Sequence, residues 1–297
     1  MSPLSDKKWF FGLRQDGLGG RLISLILTIN EASKLGREYR YIWIENGACG
    51  ASFDSLFERK RNLKTLTRIS EIEQFRNSQI GYLGQRRNFI CSSMPELRAA
   101  IKADKRRKIR ISSNLQHSSK ETTLLCPLIV SKPYLERQYT SDELDTSMFW
   151  KVLAPQKDII KAKNEFLHDV VGGNNEHLIA VHIRRGDIIT KQRHDKYVRL
   201  SRHVEKMKKS IVDNKRTRFF ISSDCPSTTE DLHRIFPGSI YSRTKRSHER
   251  DSDGVREALI DLLIMSECRS IQGGSSQFCR AASIIGDTPL HRLETGQ

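Results

Sequence analysis

No stretch of this 297-residue chain approaches the ~20 apolar residues that span a bilayer, since the longest largely apolar run is only Leu22 to Ile29. The opening, Met1 to Lys8, is mostly polar and leads only to Trp9-Phe10-Phe11, so the apolar core of a signal peptide is missing. Among the six cysteines (Cys49, Cys91, Cys126, Cys225, Cys268, Cys279) there is no C-x-x-C pair. That excludes the usual zinc spacing and argues against a disulfide framework. The sequence thus predicts a cytoplasmic protein with reduced thiols. Internal repeats and collagen-like composition are also lacking. Negative charge is the scarcer sign: 35 Asp+Glu stand against 51 Lys+Arg, a net charge of +16. The 37% hydrophobic fraction is low but clustered, enough for a core and against wholesale disorder. The positive surplus favours polyanions as partners: nucleic acid, anionic lipid, acidic glycan or a phosphorylated substrate.

Strands and helices alternate along the chain. Trp9 to Leu13 is an aromatic, strand-prone run. After a turn at 15–20, apolar residues at 22, 25, 26 and 29 repeat at helical spacing, and Gly36 supplies a stop. Tyr39 to Ile44 reads as a strand and 53–57 as a short helix. Lys102 to Arg110 carries six basic residues, read as a solvated loop, with Ile109-Arg110-Ile111 as a potential strand. A helical stretch at 156–170 ends in Gly172-Gly173-Asn174-Asn175, which places a domain boundary at 172/173. Beyond it, Leu178 to Ile183 has the continuous apolar look of a buried parallel strand. Helices are predicted at 200–212, 228–235, 255–266 and 275–285, with strands at 218–222, 239–242 and 270–272. This alternation predicts a doubly wound parallel sheet.

In such sheets ligands bind at the carboxyl ends of the strands, near the helix N-termini that follow. Three predicted strands end in suggestive groups: His182-Ile183-Arg184-Arg185-Gly186-Asp187, Ser222-Ser223-Asp224, and Gly273-Gly274-Ser275-Ser276. Arginine neutralises phosphate through a bidentate fork. Helix N–H groups add donors, and a carboxylate can take a ribose hydroxyl or a guanine edge. The set suits a phosphorylated nucleoside.

The fragment His182-Ile183-Arg184-Arg185-Gly186-Asp187 resembles the H-x-R-R-x-D motif of the α1,2-, α1,6- and protein O-fucosyltransferase superfamily. The order of the other segments agrees. Gly17-Leu18-Gly19-Gly20-Arg21 resembles the first-loop G-x-G-N-R pattern. Phe220 to Asp224 resembles the strand ending in S/T-D. Gly254 to Asp261, followed by Ser275 to Ala282, resembles the third motif. The α1,6 branch is the nearest in pattern, and the absence of a membrane anchor and stem points to a bacterial member. The resemblance implies a GT-B-like α/β fold: two Rossmann-like domains facing a cleft, with parallel sheets. Residues 1–172 would form the acceptor-side domain and 173–297 the donor-binding domain. It implies an inverting transfer of fucose from GDP-fucose to a glycan acceptor, in polysaccharide biosynthesis, with no metal or other cofactor.

Carried residue by residue, Arg184 and Arg185 would hold the diphosphate and stabilise the departing GDP. His182 and Asp187 would support their loop. Asp224 and Asp261 would contact the nucleoside, and Ser276 would bind phosphate. Gly20 and Arg21 would approach the diphosphate from the other half. Gly19, Ser223, Ser275 and Gln277 complete the expected donor site, with Arg184, Arg185 and Asp187 as the candidate catalytic residues.

The chain departs from the pattern in places. Ile188-Ile189-Thr190-Lys191-Gln192 has no acid where the α1,6 branch has a Glu, leaving Asp187 and Asp195 as candidate general bases. Gly20 stands where the family often has Asn. Other readings of the same residues stay open. Asp261 can pair with an arginine rather than a ligand, Ser275-Ser276 can act as a helix cap, and Asp224 can cap the segment after its strand. Asp251-Ser252-Asp253 precedes a helix and reads as a cap rather than a metal-binding D-x-D. Gly17-x-Gly19-Gly20 fails the dinucleotide fingerprint, since Leu22 occupies the third glycine's place. The rival functions are a polyanion-binding module and a catalytically inactive relative that binds nucleotide sugar. No nucleic-acid motif is present. Peripheral contact with a membrane face or an anionic glycan fits the basic surplus.

Overall fold

The computed structural model describes residues 9–14, 16–34, 36, 38–58, 153–173, 175–185 and 198–294, the strand segments 65–66, 78–83 and 88–91, and the single positions 95, 99 and 150. The basic stretch Lys102 to Arg110, the strand expected at 109–111, Asp187 and Asp195 lie outside the described residues.

Along the chain run β1 (Trp9–Leu13), α1 (Leu18–Lys34), β2 (Glu38–Ile42), the one-turn α2 (Phe53–Leu56), β3 (Phe57–Glu58), β4 (Thr65–Leu66), β5 (Ser78–Leu83) and β6 (Asn88–Cys91). Next come β7 (Ala154–Pro155), α3 (Lys157–Glu165) continued by a π-helical turn at Phe166–Val170, β8 (Leu178–Ile183), α4 (Leu200–Asp213), β9 (Arg218–Ser223) and α5 (Pro226–Ile235). The chain closes with β10 (Ile240–Ser242), α6 (Ser252–Ser266), β11 (Ser270–Gly273), α7 (Gln277–Gly286) and β12 (Leu290–Arg292). No described helix is long and apolar enough to cross a membrane.

Packing divides the chain into two units. One holds residues 1–16, 21–46 and 59–152; the other holds 17–20, 47–58 and 153–297. The first unit carries a five-stranded sheet in the order β4-β2-β1-β5-β6. Helix α1 buries Leu22, Leu25, Ile26 and Ile29, the residues whose spacing predicts it. It is followed by Gly36 at φ +59°, whose N–H bonds the Ser33 carbonyl at 3.0 Å. Glycine takes this left-handed position without the Cβ clash other residues meet. The sheet is not wholly parallel as expected: β6 runs antiparallel to β5. Their link, residues 84–87, is far shorter than the dozen or so residues a parallel crossover needs.

The second unit holds a five-stranded, all-parallel sheet in the order β10-β9-β8-β11-β12. Its strands alternate sides. Val181, Ile183, Phe219 and Ile221 pack with Met207, Leu232 and Phe236 of the α4–α5 side. On the other side Phe220 meets Phe166 edge-on, with ring centres 5.2 Å apart, and Ser222 meets Asp261 of α6. Helix α6 is buried over most of its circumference, as an apolar-all-round sequence requires. From β8 the chain steps to β9 and β10 on one side, then returns to place β11 on the other. The topological switch point therefore lies between β8 and β11, where such sheets bind ligands.

The second unit reaches further back than a single cut at 172/173. Helix α3 is tied to α6 by the ion pairs Arg256–Asp158 and Lys163–Glu267. Residues 47–58 are stitched to the same unit. The Gly50 N–H bonds the Arg250 carbonyl at 2.8 Å, Gln156 N–H bonds the Leu56 carbonyl at 3.0 Å, and β3 pairs antiparallel with β7. These long-range hydrogen bonds, not composition, set the division.

Candidate functional site

At the switch point β8 ends with buried Ile183 and delivers Arg184, exposed, and Arg185, half-buried, to the rim of the sheet. The neighbouring strand holds them in register. The Asp224 carboxylate, just past β9, accepts the Arg185 main-chain N–H at 2.7 Å. The guanidinium of Arg185 reaches the Thr228 hydroxyl at 3.4 Å, at the start of α5. The two predicted strand ends thus meet through Arg185 and Asp224.

On the other side of β8, the segment after β11 leads into α7. Ser276 caps that helix, its hydroxyl accepting the Phe278 N–H at 3.1 Å, as its sequence predicts. Ser275 is exposed, and Gln277 is half-buried at the first turn. Gly19 lies against this turn. A Cβ there would stand 2.6 Å from the Phe278 Cα and 2.7 Å from the Gln277 carbonyl oxygen. Only glycine permits so close a backbone approach at the helix start, with buried Gly20 beside it. The α7 N-terminus, with its positive dipole end, suits an anion.

His182 lies under this rim, stacked on the Phe278 ring with centres 4.9 Å apart. Its imidazole is lowered to about 4: burial is the main cause, the charges of Arg184 and Lys245 act the same way, and Asp224 and Asp261 oppose them. At neutral pH it is an uncharged ring packed against Phe278 of α7. His203 on α4 is 1% exposed, and its Nδ1 has no hydrogen-bond partner among the described residues. Burial, with a smaller contribution from His182, lowers it from 6.5 to about 4. The unfolded chain therefore takes up this proton first as pH falls. Its contribution to stability is complete above about pH 6.5 and is lost between 6.5 and about 4. In a series of melting curves against pH, His203→Leu is expected to flatten that part of the profile. An unchanged slope would assign the proton uptake to other groups.

Two expected ligand residues are corrected by their surroundings. Arg21 is 0% exposed. Its Nε donates to the Asp16 carbonyl at 2.8 Å, its Nη1 to the Ile44 carbonyl at 2.6 Å, and its guanidinium lies over the Trp43 ring at 5.1 Å. It pins the loop after β1 to the end of β2 rather than approaching a diphosphate. Asp261 is likewise 0% exposed. Its Oδ1 accepts from Arg243 at 3.1 Å, and its Oδ2 meets Ser222 at 2.9 Å and Lys245 at 2.7 Å. The ion-pair alternative is what the structure supplies, because both oxygens are taken. Ser223 is also turned inward: its hydroxyl accepts the Cys225 N–H at 3.1 Å and shapes the turn that presents Asp224.

Several residues were not singled out in the sequence. Arg243 bonds Glu257 Oε2 at 2.6 Å as well as Asp261, and Lys245 donates to the Ser223 carbonyl at 3.0 Å. Their spacing, two apart directly after a short strand, puts both on one side of an extended chain and could have marked them. Thr228 and Cys225 line the Arg185 side. Burial raises the Cys225 thiol, but hydrogen bonds from Ser227 and Thr228 and the charge of Arg185 outweigh it and leave the thiol below its ordinary value. Asp251 caps α6, its Oδ1 accepting the Gly254 N–H at 2.7 Å, the capping role read for the D-x-D segment. Among the described residues, no group of three or more His, Cys, Asp and Glu side chains is placed to hold a metal ion.

No protein-family model matches the chain, and no curated protein matches it by sequence. Solved structures do match in shape. The fucosyltransferase NodZ from Bradyrhizobium superposes with a TM-score of 0.63 at 15% identity, covering 99% of this chain and 98% of that one. NodZ α1,6-fucosyltransferase co-crystallized with GDP gives 0.60 at 15% identity, covering 98% and 96%. A mutant of Arabidopsis thaliana FUT1 in complex with GDP gives 0.55 at 12% identity, covering 99% of this chain and 72% of that one. The chain has the α/β fold of these GT-B-like fucosyltransferases.

Proposed function

We propose that this protein, on its fucosyltransferase-like fold, transfers fucose from GDP-fucose to a glycan acceptor, inverting the anomeric carbon without a metal ion. The observation that carries the reading is the placement of Arg184 and Arg185 at the switch point of a parallel sheet, with Arg185 held by Asp224 and the α7 N-terminus following the adjoining strand β11. NodZ structures of the same fold were obtained with GDP and with GDP-fucose.

The chemistry follows from charge. Breaking the bond between the anomeric carbon and the phosphate oxygen moves negative charge onto the departing GDP. The two guanidinium groups and the α7 N–H groups receive that charge, in the role a divalent ion fills in other glycosyltransferases. They bind the transition state more tightly than the ground state. The acceptor hydroxyl attacks the opposite face of the sugar and gives up its proton to a carboxylate, for which Asp187 and Asp195 are the candidates. The +16 charge draws acceptors that are themselves anionic or built at an anionic membrane face, reached from the cytoplasm.

Calorimetric titration in the presence of EDTA tests the donor class. GDP and GDP-fucose are expected to bind with micromolar affinity and UDP not at all, with GDP-mannose showing how strictly the sugar is read. No binding by any of the four would overturn the reading and leave the Arg184-Arg185 pair as a structural turn, with polyanion binding in its place.

A further inference from the structure

We infer that Lys245 is a positioning residue for the donor site, acting through the end of β9 on the main chain of Arg185. The inference rests on the proposed function and extends it to a residue outside the three strand-end motifs. Lys245 has a side chain only 11% exposed, held between the Asp261 carboxylate at 2.7 Å and the Ser223 carbonyl at 3.0 Å. Ser223 directly precedes Asp224, whose carboxylate fixes the Arg185 N–H at 2.7 Å. A second tie, Ser222 to Asp261 at 2.9 Å, holds the same strand end to α6. The path from the buried helix to the arginine pair is thus continuous: Asp261, Lys245, the Ser223–Asp224 peptide, then the Arg185 main chain.

The cluster does not act by attracting phosphate. Its two cations, Arg243 and Lys245, face two anions, Glu257 and Asp261, so its net charge is zero. What it supplies is placement. A buried ion pair adds little net stability over apolar packing, and the role inferred for this one is to hold geometry. A phosphate-binding fork needs that geometry to within about 0.5 Å. Without the ammonium, the Ser223 carbonyl loses its charged donor, and the peptide that carries Asp224 loses one of the ties that fix it.

A double-mutant cycle on GDP affinity tests this, with the melting temperature of every variant recorded. Lys245→Met and Asp224→Asn are each expected to weaken GDP about tenfold, the scale of one hydrogen bond to a charged group. The double variant is expected to be no weaker than the worse single, because both act on the same main-chain contact. Lys245→Arg, which restores the charge and the donors, is expected to recover most of the affinity. Lys245→Met combined with Asp261→Asn removes both charges and serves if the single variant does not fold. Wild-type GDP affinity in folded Lys245→Met, or single losses that multiply in the double variant, would overturn the inference. Failure of the wild-type protein to bind GDP would instead overturn the function itself.

Discussion

Arg185→Ala is expected to slow fucosyl transfer by about 10²–10³-fold, the effect of removing one preorganised charge-stabilising donor, while the chain stays folded. Two features of the site make the substitution clean. The contact that positions the residue runs from its main-chain N–H to Asp224, and alanine keeps that N–H. The side chain is half-buried at the rim, not in the core. Arg185→Lys keeps the charge and loses the fork, so it is expected to fall between alanine and wild type. A transfer assay with GDP-fucose and a broad acceptor panel, with a melting curve for each variant, measures both effects. Undiminished transfer by the alanine variant would remove Arg185 from the chemistry.

Arg243→Ala has the largest expected effect on stability. Its guanidinium bonds Glu257 at 2.6 Å and Asp261 at 3.1 Å, and both carboxylates are buried. Removing one partner of a buried ion pair costs about 3–5 kcal/mol, because the remaining charge has no water to return to. For a unit of this size that corresponds to a fall in melting temperature of roughly 10 °C. Replacing Arg243, Lys245, Glu257 and Asp261 together by apolar residues of similar volume is expected to cost far less, since no charge is stranded. Thermal and urea melts of the two variants separate these cases. Equal losses would show that packing around the four side chains, not their charge, holds this region.

The second sheet was legible because its strands are buried on both faces. Leu178 to Ile183 and Arg218 to Ser222 read as short apolar runs, and the structure places both within a residue of expectation. Strand β12, with the sequence Leu-His-Arg, was missed: an exposed edge strand has no face to keep apolar. The β3–β7 pair was missed because two residues on each side make a ladder but no pattern. The same contact joins residues 47–58 to the second unit, which no local pattern signals. At the site, Arg184, Arg185 and Asp224 were legible as strand-end groups. Arg21 and Asp261 misled for one reason: a motif marks a charged residue but not its burial, and both are 0% exposed. Arg243 and Lys245 were hidden inside the basic run 243–250, which by composition alone reads as a solvated loop.

The pairing of β3 with β7 also bears on how the chain is made. Residues 57–58 leave the ribosome about a hundred residues before 154–155, their partners in the ladder. At about 5–20 residues per second, they wait on the order of 5–20 s for that partner. Gly19 waits longer still for the start of α7. Synthesis from the amino end therefore cannot complete either contact early. Residues 57–58 must stay unpaired until 154–155 emerge, and Gly19 until most of the carboxyl-terminal sheet has been translated, both open to chaperones meanwhile.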